Sequence, residues 1–423
     1  RGLTRMHAEF DTGEDAWTGP LAWGQRSIWE AIRQVGPAGD KYFNFSRVVP
    51  VPRGAPVADV DTVVAALSVV VARHDSLRTR VRTGPDGEPY QVVGGGGGIP
   101  VEIVESAADV ERLEGVRFEF AADWPLRVAL VVSEDRVREV VLVFCHVAAD
   151  GYAADLVARD LRLTLLRGAP PGEPEQLRGL VAAQSGQDVS RSERAMEFWA
   201  AQSLGGPLLD QRRDPSDGAR YQRAVIFSPA MDRASRVLAQ RYGVNGSTIL
   251  LVAACVLVGR AAGRQKSAMT PLVNNRFLAR HSEVVTSLAQ LGLLVVDSGP
   301  ADFNELMASA RASALRAYRH AYYDQAALNE RVAGADPLCC FNDQRSAETT
   351  GVPIPAGPEP GETVVEAESG LDELNCRFCV HVTGDPGQLK IMATADTHYL
   401  QAGDLETLLR GMESLVVAGA AAG

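Results

Sequence analysis

The stretch Phe144-Cys145-His146-Val147-Ala148-Ala149-Asp150-Gly151 constrains the fold of this chain more than any other. It follows the apolar run Val140-Val141-Leu142-Val143 and precedes an amphipathic segment, Asp155 to Leu163. That order predicts a buried strand, a tight turn and a helix, with a histidine delivered at the strand end. A base placed there is held rigidly. Few other segments offer comparable chemistry.

The surrounding pattern alternates strand and helix. Residues 61–71 carry apolar side chains at helical spacing. Residues 79–82 and 90–93 read as strands around a Gly-Pro-Asp-Gly turn, 101–104 as another strand, and 126–132 as a strand paired with 137–144 in a hairpin across Ser133-Glu134-Asp135-Arg136. The glycine run 94–98 reads as a flexible connector; no Gly-Lys-Ser/Thr follows it, so it is no phosphate loop. Gly168-Ala169-Pro170-Pro171-Gly172 stops the helix that begins near Ala154. This is the expected boundary between an N-terminal lobe, 17–172, and a C-terminal lobe, 173–423. Beyond it, helices are expected at 191–202, 231–241, 247–262, 302–322 and 404–417, and strands at 338–342, 375–382 and 389–393, with a loop at 351–362. The 247–262 helix follows Asn245-Gly246, has a Ser/Thr cap and is apolar nearly all round, so it should be buried.

A length of 423 residues suits two or three domain equivalents, and 46% hydrophobic residues supply large cores. The net charge of −11 argues against nucleic acid, which requires a basic face. Six cysteines show no disulfide framework, and no secretory pattern opens the sequence, so a cytoplasmic location with free thiols is expected. The longest apolar run, Ile249 to Val258, is ten residues and too short to span a bilayer. Cys376-Arg377-Phe378-Cys379, with His381 and Cys339-Cys340, invites a metal reading; inside a strand, however, the two cysteines of Cys-x-x-Cys face opposite ways, and no metal is expected.

With its companions, the segment resembles the core motif of the condensation domains of nonribosomal peptide synthetases. That motif reads His-His-x-x-x-Asp-Gly; here it is Cys145-His146 to Asp150-Gly151. Pro20, Leu21, Gln25 and Trp29 match the family's N-terminal motif, and Arg73-His74-Asp75-Ser76-Leu77-Arg78-Thr79 is close to Arg-His-x-x-Leu-Arg-Thr. Asn275-Arg276 is similar to an arginine-bearing motif of the second half, and Arg319 to Asp324 loosely matches a His-x-x-x-Pro-Phe-like segment. The resemblance runs from about Pro20 to Val417. It implies an α/β fold of two chloramphenicol-acetyltransferase-like lobes set in a V, with a central tunnel reaching the core motif. Donor and acceptor groups arrive there as thioesters on the phosphopantetheine arms of two carrier proteins. No bound cofactor is implied, and a monomer is expected.

The resemblance assigns catalysis to His146, as proton acceptor for an attacking amine or as its orienting group. Asp150 is read as structural, paired with Arg276, rather than as the carboxylate of a triad. Gly151 is read as freeing the backbone for the turn. Cys145 replaces the family's first histidine. It is a packing substitution or, on a sharper reading, a thiol nucleophile beside a base; neighbours at a strand end point to opposite faces, which favours packing. Trp23, Gln25, Ser287 and Ala289 are expected along the tunnel. Ser287-Leu288-Ala289-Gln290-Leu291 lacks the aromatic and the asparagine of the family's Gly-x-Phe-x-Asn, which implies a roomier donor side or drift in a chain that no longer condenses anything. Arg73, Arg78, Arg80 and Arg82 form a basic cluster, read as internal ion pairs or a solvated face before a phosphopantetheine phosphate contact.

The activity so implied is acyl transfer forming an amide, with an ester second. The alternatives are a non-catalytic relative that recruits a tailoring enzyme to a carrier-bound peptide, and a coenzyme-A-dependent acyltransferase. The last has an Asp-Phe-Gly-Trp-Gly motif that does not occur here. Cyclising condensation domains carry aspartate in place of the core histidine, so His146 argues against that variant, and the retained His146 with intact Asp150-Gly151 favours catalysis over recruitment.

Overall fold

The computed structural model describes residues 6–55, 58–106, 110–202, 204–214, 218–300, 302–345, 361–371, 374–384, 387 and 389–422. Most of the expected 351–362 loop lies outside them. The chain forms two compact units, Arg1–Val189 with Asn274–Gln290, and Ser190–Val273 with Leu291–Gly423. The Pro/Gly stretch at 168–174 ends a helix but lies inside the first unit, because the following helix, 177–184, packs there through Leu180 and Val181.

In the first unit the elements are β1 (Met6–Asp11), β2 (Trp17–Pro20), α1 (Trp23–Val35), β3 (Phe45–Pro50), α2 (Val60–Arg73), β4 (Thr79–Thr83), β5 (Pro89–Val93), β6 (Gly96–Val104), α3 (Val110–Glu114), β7 (Leu126–Ser133), β8 (Arg136–Phe144), α4 (Gly151–Arg167) and α5 (Leu177–Gln184). Five strands make one sheet in the order β1-β6-β7-β8-β3, and β2-β5-β4 make a second. β8 has apolar side chains on both faces. Val140, Leu142 and Phe144 enter a core with α2 and α4; Val141, Val143 and Cys145 enter another with Trp29 and Ile32 of α1 and Leu113 of α3. This double burial explains the unbroken apolar run that precedes the histidine. Each fully buried aliphatic side chain contributes roughly 1.5–3 kcal/mol, so the strand end that carries the site is firmly anchored.

Gly96 to Gly98 are not a loose connector. They pair with β1 as part of β6, Phe10 opposite Gly97. A Cβ on Gly97 would lie 2.6 Å from the Trp124 ring, so the glycine admits that indole against the strand. Low strand propensity is overridden by this close approach.

The second unit contains α6 (Val189–Gln202), β9 (Tyr221–Phe227), α7 (Pro229–Tyr242), α8 (Gly246–Ala261), β10 (Lys266–Val273), β11 (Gln290–Leu291), β12 (Leu294–Asp297), α9 (Phe303–Arg319), α10 (Gln325–Arg331), β13 (Cys339–Asp343), β14 (Val364–Leu371), β15 (Phe378–Thr383), β16 (Lys390–Asp396) and α11 (Ala402–Ala421). Its sheet runs β10-β13-β15-β16-β9-β14, with β12 beside β10. β13 is parallel to both β10 and β15. α8 is buried on all sides, as its composition implies, and its cap is Asn245, whose Oδ1 accepts from Thr248 N at 2.8 Å. Cys376 lies ahead of β15 rather than in it, so strand alternation does not separate it from Cys379. No single helix among the described residues is long and apolar enough to cross a membrane.

The β7–β8 hairpin forms as expected, Ser133 opposite Arg136. Glu134 and Asp135 sit at φ 53° and 54°, the left-handed region that a two-residue type I′ turn demands. Neither residue favours it as Asn-Gly does. Replacing Glu134-Asp135 by Asn-Gly should therefore raise stability by about 1 kcal/mol, read as a higher urea midpoint at unchanged slope; an unchanged or lower midpoint contradicts the turn assignment.

Candidate active site

β8 ends at Phe144, and α4 starts at Gly151 after a turn through residues 145–149. His146 projects from that turn. Its half-buried ring lies 5.0 Å from the ring of Phe45 on β3. Its Nδ1 is 3.4 Å from Ser287 Oγ, and the Ser287 hydroxyl donates to the His146 carbonyl. A hydroxyl has one proton. With that proton given to the carbonyl, Ser287 Oγ offers Nδ1 only a lone pair. The neutral ring is thereby biased to carry its proton on Nδ1 and its lone pair on Nε2. Burial pulls the imidazole below its usual pKa of 6.5, against the carbonyls of His146 and Ala149 and the charge of Asp150, which favour protonation; Arg47 adds to the lowering. The ring is neutral at pH 7, in the form a proton acceptor needs.

Asp150 has a different task. Oδ1 accepts from Ala153 N at 2.8 Å, capping α4, and from Arg276 Nη2 at 3.1 Å. Oδ2 accepts from Leu288 N at 2.9 Å and Ala289 N at 3.1 Å. Both partners of the ion pair are buried. Burial lowers the Arg276 pKa, and Asp150 opposes that effect. The pairing expected from the resemblance is thus present. The two backbone donors are additional, and they tie segment 287–289 to the turn that carries His146.

The glycine at 24 lets α1 approach that segment closely. A Cβ on Gly24 would lie 2.4 Å from Ser287 O and 2.7 Å from Leu288 Cα, so α1 abuts this backbone directly. Trp23, Gln25, Ser287 and Ala289, expected along a tunnel, each have a specific hydrogen-bond partner. Trp23 is buried and its backbone N–H donates to Gln184 Oε1. Gln25 is wholly buried; its Oε1 accepts from Ala22 N at the start of α1, and its Nε2 donates to Gln91. The Ser287 side chain is held by His146, and Ala289 by Asp150 through its N–H.

Cys145 has the surroundings of a packing residue rather than of an activated thiol. It packs with Val143, Val147 and Trp29, on the opposite sheet face to Phe144, and burial pushes its thiol up to about 12. Beside it is a cavity of about 10 Å³ bordered by Gln25, Val81, Phe118 and Phe120, room for about one water. Gly151 does not serve the turn by conformational freedom: it lies in the first turn of α4 without a positive φ, and a Cβ there would meet Arg47 Nη2 at 3.4 Å.

The Arg73–Thr79 motif buttresses the turn. Ser76 Oγ donates to Ala148 O at 2.7 Å, a contact sequence reasoning missed. Arg73 and His74 both bind buried Asp160, at 3.1 and 3.0 Å. Arg78 binds Asp75 and the Gly94 carbonyl, Arg80 stacks 3.6 Å from the Trp124 ring centroid, and Arg82 is exposed, so these arginines do not converge on a phosphate site. In the second unit His320 stacks on Phe198 at 4.6 Å and His398 bonds Asp396 at 3.0 Å, both structural contacts.

A family model described as the condensation domain matches residues 49–341. AMB antimetabolite synthetase AmbB of Pseudomonas aeruginosa is 31% identical over 266 residues, 57% of this chain and 20% of that protein. A probable non-canonical nonribosomal peptide synthetase, CymA of Salinispora arenicola, is 28% identical over 329 residues, 71% of this chain and 4% of that protein. The chain therefore spans only a small part of the relatives it matches. Among solved structures, SgcC5 from Streptomyces globisporus superposes with a TM-score of 0.70 at 20% identity, covering 95% of this chain and 99% of the other. The X-domain in complex with OxyB from teicoplanin biosynthesis does so at 0.67 and 18%, covering 95% and 93%.

Two substitutions separate these roles. Asp150→Asn keeps a cap for α4 but removes the charge facing buried Arg276 and sets an amide donor among donors; stability should fall by about 3 kcal/mol together with activity, and lost activity with unchanged melting refutes the ion-pair role. Cys145→Ala should cost about 1 kcal/mol of stability and leave turnover within a few-fold of wild type; abolished turnover in a folded variant restores the thiol as a reactant.

Proposed function

The chain belongs to the condensation domain family, and from that premise we propose that it forms an amide bond between acyl groups carried as phosphopantetheine thioesters. Condensation domains act on carrier-bound substrates without a cofactor of their own, and relatives of this chain are nonribosomal peptide synthetases of natural-product biosynthesis. The observation that carries the proposal is the His146–Ser287 arrangement, which supports a neutral imidazole with its lone pair on Nε2. The acceptor's amine attacks the donor thioester carbonyl. The new C–N bond forms, Nε2 takes the amine proton, the C–S bond breaks, and the departing thiolate of the donor arm receives that proton. His146 both orients the amine and moves the proton, and no covalent enzyme intermediate involves Cys145. Asp150 and Arg276 hold the geometry and do not react.

Recruitment of a tailoring enzyme is the competing role. Intact-mass analysis of donor and acceptor carriers, loaded with acyl and aminoacyl groups, separates the two. The proposal expects condensed product on the acceptor carrier and a loss of about 100-fold or more in His146→Ala. Because the imidazole pKa is lowered, the base form persists into mild acid, and the His146-dependent rate should decline only below about pH 6.5. Equal rates for wild type and His146→Ala, or a loaded carrier that is bound but never converted, contradict catalysis.

A further inference from the structure

The second unit brings three cysteines together that the acyl-transfer site does not use. Cys340 on β13 stands opposite Cys379 on β15 in the parallel register. Cys376 approaches from the segment just before β15. The Sγ atom of Cys379 lies at disulfide distance from those of both Cys340 and Cys376, which departs from the free thiols expected of the sequence, and the three sulfurs lie within 4.8 Å of one another. A sulfur forms one disulfide at a time, so a covalent bridge accounts for two of the three and leaves the third unexplained. Three thiolates supply three of the four ligands that a thiophilic ion such as Zn²⁺ takes.

We propose that Cys340, Cys376 and Cys379 bind one Zn²⁺ as thiolates. Each ligand gives up its proton on binding, so uptake by three thiols releases three protons and changes no oxidation state. Cys340 is only half-buried, which leaves water room to take the fourth position. His381 lies two residues along the strand from Cys379, with Nδ1 buried and unbonded, but the group that closes within 4.8 Å consists of the three sulfurs alone. The ion would clamp the β13–β15 pair to the entering segment. That segment is otherwise tied to β13's start by the N–H groups of Arg377 and Phe378, both donating to Leu338 O. Its role is structural, and it corrects the expectation that strand alternation keeps Cys376 and Cys379 apart.

The test uses the full chain, purified anaerobically with a non-thiol reductant and titrated with Zn²⁺, then with Co²⁺ as a coloured substitute. One ion per chain, a thiolate-to-cobalt charge-transfer band and a zinc-dependent rise in melting temperature are expected. Cys340→Ser and Cys376→Ser should each weaken binding by about 100-fold or more, whereas Cys255→Ala, altered in the core, should keep the wild-type stoichiometry. Should a serine variant fail to fold, wild-type protein alone decides: zinc must protect these three cysteines from a maleimide, read by peptide mass. A folded, reduced wild type that takes up no zinc, or binds it without that protection, overturns the proposal. So does a Cys379 disulfide that survives anaerobic reduction.

Discussion

The carboxylate of Asp150 is the point on which the first unit's site depends. Its four donors come from three places: the first turn of α4, the Arg276 side chain, and the backbone at 288 and 289. One buried charge thereby joins the strand–turn–helix to a segment more than a hundred residues further along the chain. Without the guanidinium and the amides, burying that charge would cost several kcal/mol. With them, the penalty is offset, and the reward is geometric: the chain at 287 is fixed against His146, so one serine hydroxyl can bias a tautomer.

Much of this was legible in the sequence. Double burial of β8 shows as an uninterrupted apolar run, and the termination of α4 at Gly168 shows as glycine before paired prolines. The Asp150–Arg276 pair forms between the two residues that the resemblance names. The hairpin at Glu134-Asp135 was readable from alternation and spacing, although its turn residues are poor ones.

What escaped the sequence depends on close backbone approach or on three-dimensional convergence. Gly24 is a glycine because Ser287 O lies where its Cβ would go, and nothing near residue 24 announces a neighbour at 287. Gly97 likewise answers to Trp124, so a glycine-rich strand was read as a connector. The departures at Ser287 and Ala289 read as extra space or drift, and the sequence did not show that the Ser287 hydroxyl and the Ala289 N–H are engaged by His146 and Asp150. The cysteines of the second unit were misjudged by assuming that both ends of Cys-x-x-Cys lie in one strand. The departure at Cys145 has the opposite character: its consequence is local, a buried thiol beside a small cavity.

The central claim is that the fold presents His146 as a neutral base with its lone pair on Nε2. Nitrogen-15 NMR of histidine-labelled protein at pH 7, with His146 assigned by substitution, measures this directly. The account predicts a neutral imidazole whose proton resides on Nδ1. A proton on Nε2, or an imidazolium at that pH, would contradict it.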